Sequence, residues 1–101
     1  MNKITIVKVP VDGPVAVVEI ENELKALQAA VGGGYIEIVR CETPVAGVIL
    51  VCDEEGRLKG LEPNPRLPGI MGDAFFTKDD DGEDFISLSA DEAQGIVRFL
   101  S

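Results

Sequence analysis

The sequence has no histidine and no tryptophan, and it has only two cysteines. Because histidine is missing, the chain cannot build a Ser-His-Asp or Cys-His nucleophile or a histidine-containing zinc site. Cys41 and Cys52 each lie in a run of β-branched residues, which predicts small buried thiols in a reducing compartment rather than a disulfide. We predict no catalytic residue, no metal site and no cofactor.

Basic residues are also scarce, with 9 Lys and Arg against 18 Asp and Glu, for a formal net charge of −9. Nucleic acids and anionic membranes attract positive surfaces, so neither is an expected partner. The charge favours solubility, and it leaves a basic surface of another protein as a suitable partner. The absence of a long apolar run and the charged N-terminal segment predict a cytoplasmic protein without a membrane span or signal peptide.

Aliphatic residues supply most of the apolar material, since 46% of the chain is hydrophobic and only 5% is aromatic. A chain of 101 residues with this composition is expected to fold as one compact domain, residues 1–101, around an aliphatic core. The few large anchors of that core are expected to be Tyr35, Phe75, Phe76, Phe85 and Phe99.

Hydrophobic periodicity divides the chain into strands and two helices. One helix is predicted over residues 21–31 with Asn22 as its N-cap, and a second begins at a capping box formed by Ser89 and Glu92. The pattern predicts an α+β domain with a mixed, mainly antiparallel sheet of about five strands and two short helices packed on one face. The predicted strands cover residues 4–9, 15–20, 35–41, 45–52 and 70–77.

A run of three glycines follows the first predicted helix and is predicted to end it. It consists of Gly32, Gly33 and Gly34. A phosphate-binding loop would place its glycines before a helix, so no such loop is predicted here.

The proline loop, residues 62–69, is the irregular segment that we consider a candidate for function. It contains three prolines, which exclude helix and disfavour an internal strand. Because such loops often carry function, our candidate binding residues are those of the loop and its exit: Asn64, Arg66, Gly72 and Asp73.

An acidic run near the C-terminus is a second candidate surface. It consists of Asp79, Asp80, Asp81, Glu83 and Asp84. An EF-hand loop needs glycine at its sixth position and glutamate at its twelfth, and this run has neither, so no calcium site is predicted. The run is either a solvated hairpin turn or an acidic patch that docks on a basic protein surface.

Several ordered segments resemble a known protein family. They are EIEN at 19–22, LKALQ at 24–28, VGGGYIE at 31–37, VCDEEGRL at 51–58 with Leu61 and Asn64, IMGDAFF at 70–76 and SLS at 87–89. Together they resemble the domain-of-unknown-function family numbered 3846, over nearly the whole chain. The resemblance implies a small intracellular protein of bacteriophages, plasmids or bacteria that carry mobile elements, and it implies no activity or catalytic residue.

Three functional hypotheses follow from these observations. The first is a non-catalytic binding protein of phage or mobile-element origin that engages a host protein through its acidic surface or proline loop. The alternative is a small-molecule binder, such as a sponge for nucleotide signals, for which Arg40, Arg57, Lys59 and Arg66 are the available cations. The third is a hydrolase that uses paired carboxylates, for example Asp53 with Glu55, which would require one raised pKa in a cleft. The sequence leaves the oligomeric state open.

Overall fold

The computed structural model describes residues 3–79 and 85–100, which form six strands and two helices. In chain order the elements are β1 (Lys3–Val9), β2 (Ala16–Glu21), α1 (Leu24–Ala30), β3 (Ile36–Val39), β4 (Val48–Asp53), β5 (Ala74–Asp79), β6 (Phe85–Ile86) and α2 (Ala90–Leu100). None of the helices in these ranges is long and apolar enough to cross a membrane.

The strands form one sheet in the order β2-β1-β5-β4-β3, and every pairing in it is antiparallel. The short strand β6 also pairs with β5, opposite Lys78 and Asp79, beyond the part of β5 that faces β1. β5 therefore lies in the middle of the sheet, and β2 and β3 are its two edges. The predicted α+β class with a mainly antiparallel sheet of about five strands is confirmed.

Both faces of the sheet are covered, which explains why all six residues of β4 are buried. Side chains of a strand alternate between faces, so Leu50 and Cys52 join one core cluster while Ile49 and Val51 join the other. The first cluster contains Ala93 and Ile96 of α2, with Phe76 and Leu67, and the second contains Leu27 and Ala30 of α1, with Phe75 and Ile6. We expected both helices on one face; in the structure each face carries one helix.

The capping box predicted for α2 is present. The Glu92 backbone N–H donates to Ser89 Oγ at 3.1 Å, and the Ser89 backbone N–H donates to Glu92 Oε1 at 2.9 Å. These bonds satisfy two donors at the helix N-terminus that have no partner within the helix. Glu92 Oε2 also accepts a hydrogen bond from Lys78 Nζ at 2.9 Å, which ties the start of α2 to β5.

The predicted start of α1 is wrong. The helix begins at Leu24, and its N-cap residue Glu23 makes no side-chain capping bond. Asn22 instead donates its side-chain amide to the Phe85 carbonyl at 3.1 Å, so it links the β2–α1 connection to β6. The end of α1 agrees with the prediction, because Gly32 and Gly33 donate their N–H groups to carbonyls of the last helical turn and have positive φ.

Candidate functional site

Asn64 is a buried structural residue of the proline loop. Its side-chain amide donates to the Val9 carbonyl at 2.9 Å and to the Gly72 carbonyl at 3.1 Å, and its Oδ1 accepts the Arg66 backbone N–H at 3.0 Å. Both donors of the amide are thus used inside the chain. These bonds fix the proline loop against the end of β1.

The other three residues predicted with Asn64 lie around the same junction. Arg66 Nη1 donates to the Gly13 carbonyl at 3.2 Å, and Asp73 Oδ1 accepts the Val11 backbone N–H at 2.8 Å. Gly72 has a φ of 92° and packs against the Leu61 side chain, so a Cβ at this position would collide with Leu61. The structure therefore brings the four residues together in a framework that holds the β1–β2 connection, and their role in binding stays a prediction.

The acidic run is described only at its first residue. Asp79 forms an ion pair with Arg40, with Nη2 and Oδ2 at 2.7 Å, and its side chain is only 6% exposed. Asp79 therefore serves the packing of β5 and does not lie on an open acidic patch. Asp80, Asp81, Glu83 and Asp84 lie outside the described residues.

A groove with a volume of about 340 Å³ lies at the end of β4, on the face of the sheet that carries α2. β3 and β4 contribute one wall, the turn over residues 54–60 contributes the second, and the exit of the proline loop contributes the third. Its apolar side chains include Cys52, Ile70 and Met71, and its carboxylates include Glu37 and Glu54. The groove is therefore an apolar depression whose margin carries two exposed carboxylates, Glu37 and Glu54, and one exposed guanidinium, Arg57.

An ion pair between the buried Asp53 and the exposed Lys59 holds the turn beside this groove. Asp53 Oδ1 accepts the Glu55 backbone N–H at 2.8 Å, and Asp53 Oδ2 accepts Lys59 Nζ at 2.8 Å. Burial of Asp53 opposes its ionisation, but the hydrogen bonds from Lys59 and Glu55 and the charge of Lys59 outweigh this and lower its pKa. Gly34 lies directly against the pair, since a Cβ there would overlap Lys59 Nζ and Asp53 Oδ2.

The two cysteines occupy different environments and are both free thiols. Cys52 is buried beneath the groove, and burial together with the negative charges of Glu37 and Asp53 raises its pKa to about 11. A thiol with that pKa remains protonated at neutral pH and is a poor nucleophile. Cys41 is exposed, so the expectation of two buried thiols is correct for Cys52 and wrong for Cys41.

Two large apolar side chains are exposed on either side of the Asp53–Lys59 turn: Leu58 lines the groove, and Tyr35 lines a separate depression with Gln28 and Lys59. Leu58 lies in the 54–60 turn and is 86% exposed, and Tyr35 precedes β3 and is 67% exposed. The expectation that Tyr35 is a core anchor is wrong, and so is the same expectation for Phe99, which is 51% exposed. A leucine within the charged segment Glu54–Lys59 is the sequence signal that would have indicated this surface.

Comparison with known proteins gives one positive result. Residues 4–101 match the family model described as "Domain of unknown function (DUF3846)". The chain belongs to the DUF3846 family. Searches among curated proteins and among solved structures each found no match. The DUF3846 description names no activity.

Within residues 3–79 and 85–100 of this DUF3846 chain, no group of three or more cysteine, aspartate or glutamate side chains is placed to hold a metal ion. No buried side-chain nitrogen or oxygen in these ranges lacks a hydrogen-bond partner.

Proposed function

We propose that this DUF3846 chain is a non-catalytic cytoplasmic binding protein that engages another protein through the groove at the end of β4. If the chain comes from a phage or another mobile element, the partner is a host protein. The observation that carries the proposal is the exposed apolar side chain of Leu58, which lines a groove with the carboxylates of Glu37 and Glu54 at its margin. Large exposed apolar groups surrounded by polar residues are typical of protein interaction sites.

The charge of the molecule indicates which partner surface suits the groove. Glu37 and Glu54 are exposed carboxylates at the groove, and the whole chain has a formal net charge of −9. A partner with basic residues around an apolar contact would be attracted at long range and would then bury Leu58. This differs from the first hypothesis, which used the acidic run or the proline loop as the contact surface.

The two other hypotheses receive less support from the described residues. Of the four cations available for a nucleotide, only Arg57 lines the groove, where Glu37 and Glu54 also lie. Lys59 pairs with Asp53, Arg40 pairs with Asp79, and Arg66 donates to the Gly13 carbonyl. A hydrolase would need a carboxyl with a raised pKa, whereas the pKa of Asp53 is lowered. We therefore propose protein binding as the function.

Affinity capture from host lysate tests this proposal when the captured protein is then purified and titrated calorimetrically against the wild type and two variants. Leu58→Ser should weaken binding about tenfold or more, because it removes an apolar contact near the centre of the surface. Leu24→Ser is the matched control, since Leu24 is also exposed but lies on α1, on the other face of the sheet. Raising the salt concentration should weaken binding. Equal affinity of the Leu58→Ser variant and the wild type would contradict the proposal.

A further inference from the structure

The outer edge of β3 is open next to the groove. β3 pairs with β4 and with no other strand among the described residues, and it ends the sheet on that side. The opposite edge strand, β2, carries Glu19 and Glu21, which discourage pairing with another chain. β3 has one charged residue, Glu37, between isoleucines, and such an edge is a suitable template for an additional strand.

The hydrogen-bond register shows which backbone groups of β3 point outward. The Glu54 N–H donates to the Tyr35 carbonyl at 2.8 Å, so Tyr35 and Glu54 form a hydrogen-bonded pair. Such pairs alternate along an antiparallel ladder, so Glu37 and Val39 bond to β4. The N–H and C=O groups of Ile36 and Ile38 therefore point away from the sheet.

The side chains on the two sides of this edge indicate the chemistry of an added strand. Glu37 is exposed, lies on the groove face opposite Cys52, and lines the groove. Ile38 is 41% exposed on the other face, where Ile36 packs against the core. A strand that alternates basic and apolar residues would place its basic side chains beside Glu37 and its apolar side chains beside Ile38.

We propose that the partner presents an extended segment of alternating basic and apolar residues, which adds to the sheet as a sixth full strand along the outer edge of β3. This inference rests on the proposed protein-binding function and names the form of the partner. The added strand receives main-chain hydrogen bonds from Ile36 and Ile38, and Glu37 selects for its positive side chains. Glu37, together with Glu54 at the groove, supplies the charge complementarity.

A blocked peptide with the sequence Thr-Lys-Val-Lys-Val-Lys-Thr is the probe for this edge, titrated to millimolar concentration and followed by backbone amide NMR. We expect the amide chemical-shift changes to be confined to residues 35–40 and to groove residues near Glu37. Two control peptides have Glu in place of Lys, or N-methyl groups on the two valines. We expect no shifts from the Glu peptide and a severalfold weaker response from the N-methylated peptide, because it cannot donate to the edge.

Variants of β3 separate the backbone and charge contributions. Ile38→Pro removes an N–H that points outward and leaves the bonds between β3 and β4 intact, so the fold should persist while peptide binding is lost. Ile38→Val is the matched control and should bind like the wild type. Glu37→Gln should weaken binding of the Lys peptide by about two- to fivefold.

Three results with the peptides would overturn the proposal. The first is that the Lys peptide causes no amide chemical-shift changes on β3. The others are that the Glu peptide, or the N-methylated peptide, binds as tightly as the Lys peptide. Sedimentation equilibrium tests whether a second copy of the chain occupies the edge. If the wild type is a dimer and the Ile38→Pro variant is a monomer, the edge belongs to a second copy, and this result would also overturn the proposal. If the captured partner binds Ile38→Pro as tightly as the wild type, the edge inference fails while the protein-binding function stands; if no protein is captured, the function itself fails.

Discussion

At the scale of single residues, the structure gives Gly34 a role that the glycine run alone does not show. All three glycines follow α1, and the sequence explained them as a helix exit. Gly34 is buried against the Asp53–Lys59 ion pair, and the space that a side chain would occupy is taken by the charged atoms. This contact joins residues far apart in the sequence, and local patterns carry no information about it.

Replacement of Gly34 by alanine should therefore destabilise the protein by about 1–3 kcal/mol, because the Cβ forces the ion pair apart. Urea unfolding of Gly34→Ala and the wild type measures this difference. In a Lys59→Ala background the same substitution should cost less, since one of the two overlapping atoms is gone. An equal cost in both backgrounds would show that the ion pair is not what excludes the side chain.

Asn64 shows how a residue proposed for binding can have a structural role instead. Asn64→Ala should lower the free energy of unfolding by about 2 kcal/mol, because the buried carbonyls of Val9 and Gly72 lose their donor. Arg66→Ala is the matched control from the same loop; its exposed side chain should contribute less than about 0.5 kcal/mol. Chemical denaturation of both variants measures the two effects, and a neutral Asn64→Ala would contradict the account.

At the scale of helices and strands, elements with strong local signals were predicted best. Alternation and β-branching located β1, β2 and β4 within a few residues, and the Ser-x-x-Glu pattern located the start of α2. The predicted strand over 70–77 begins only at Ala74. Before it, the Asn64 N–H donates to the Ile70 carbonyl and the Gly72 N–H donates to the Glu62 carbonyl, and these bonds hold residues 70–72 against the proline loop. The start of α1 was missed because the Asn22 amide has a distant partner, Phe85.

The capping box makes a prediction about α2 as an element. Ser89→Ala should destabilise the protein by about 1 kcal/mol, because the Glu92 N–H loses its acceptor at the helix N-terminus. Ser89→Asp should remain close to the wild type, since aspartate caps helices as well as serine does. Thermal unfolding followed by far-UV circular dichroism measures both variants. If alanine and aspartate had the same effect, the side-chain bond would not be the cause.

At the scale of the whole molecule, hydrophobic periodicity predicted the class of fold but not the distribution of the helices. Every residue of β4 is apolar except Asp53 at its end, which is typical of a strand covered on both faces. That observation would have favoured one helix on each face. The strand order and the open edge of β3 depend on long-range pairing, and neither is present in local periodicity.

Acid should destabilise the molecule through two carboxylates. Hydrogen bonds from Ser89 and Lys78 lower the pKa of Glu92, and the bonds that Asp53 accepts from Lys59 and Glu55 outweigh its burial and lower its pKa. A lowered pKa in the folded state gives stability that is complete above the unfolded pKa and is lost as the pH falls through the folded pKa.

We therefore expect nearly constant stability between about pH 5 and 7, and a loss below about pH 4 of up to about 1.4 kcal/mol per pH unit for each group. Urea unfolding at a series of pH values measures this slope. Asp53→Asn should reduce the slope in the acid range, and Glu55→Gln is the control, since the Glu55 side chain is exposed. An unchanged slope in Asp53→Asn would contradict the assignment.

We propose the outer edge of β3, beside the groove, as the place where an extended segment of the partner binds. Amide hydrogen exchange at single residues tests it most directly, because it reports on the backbone groups that the claim names. In the free protein, Ile36 and Ile38 should exchange rapidly while Glu37 and Val39 are protected by β4. With the Lys peptide near saturation, exchange at Ile36 and Ile38 should slow at least severalfold, and Glu37 and Val39 should change little. Continued rapid exchange at Ile36 and Ile38 in the bound state would contradict the claim.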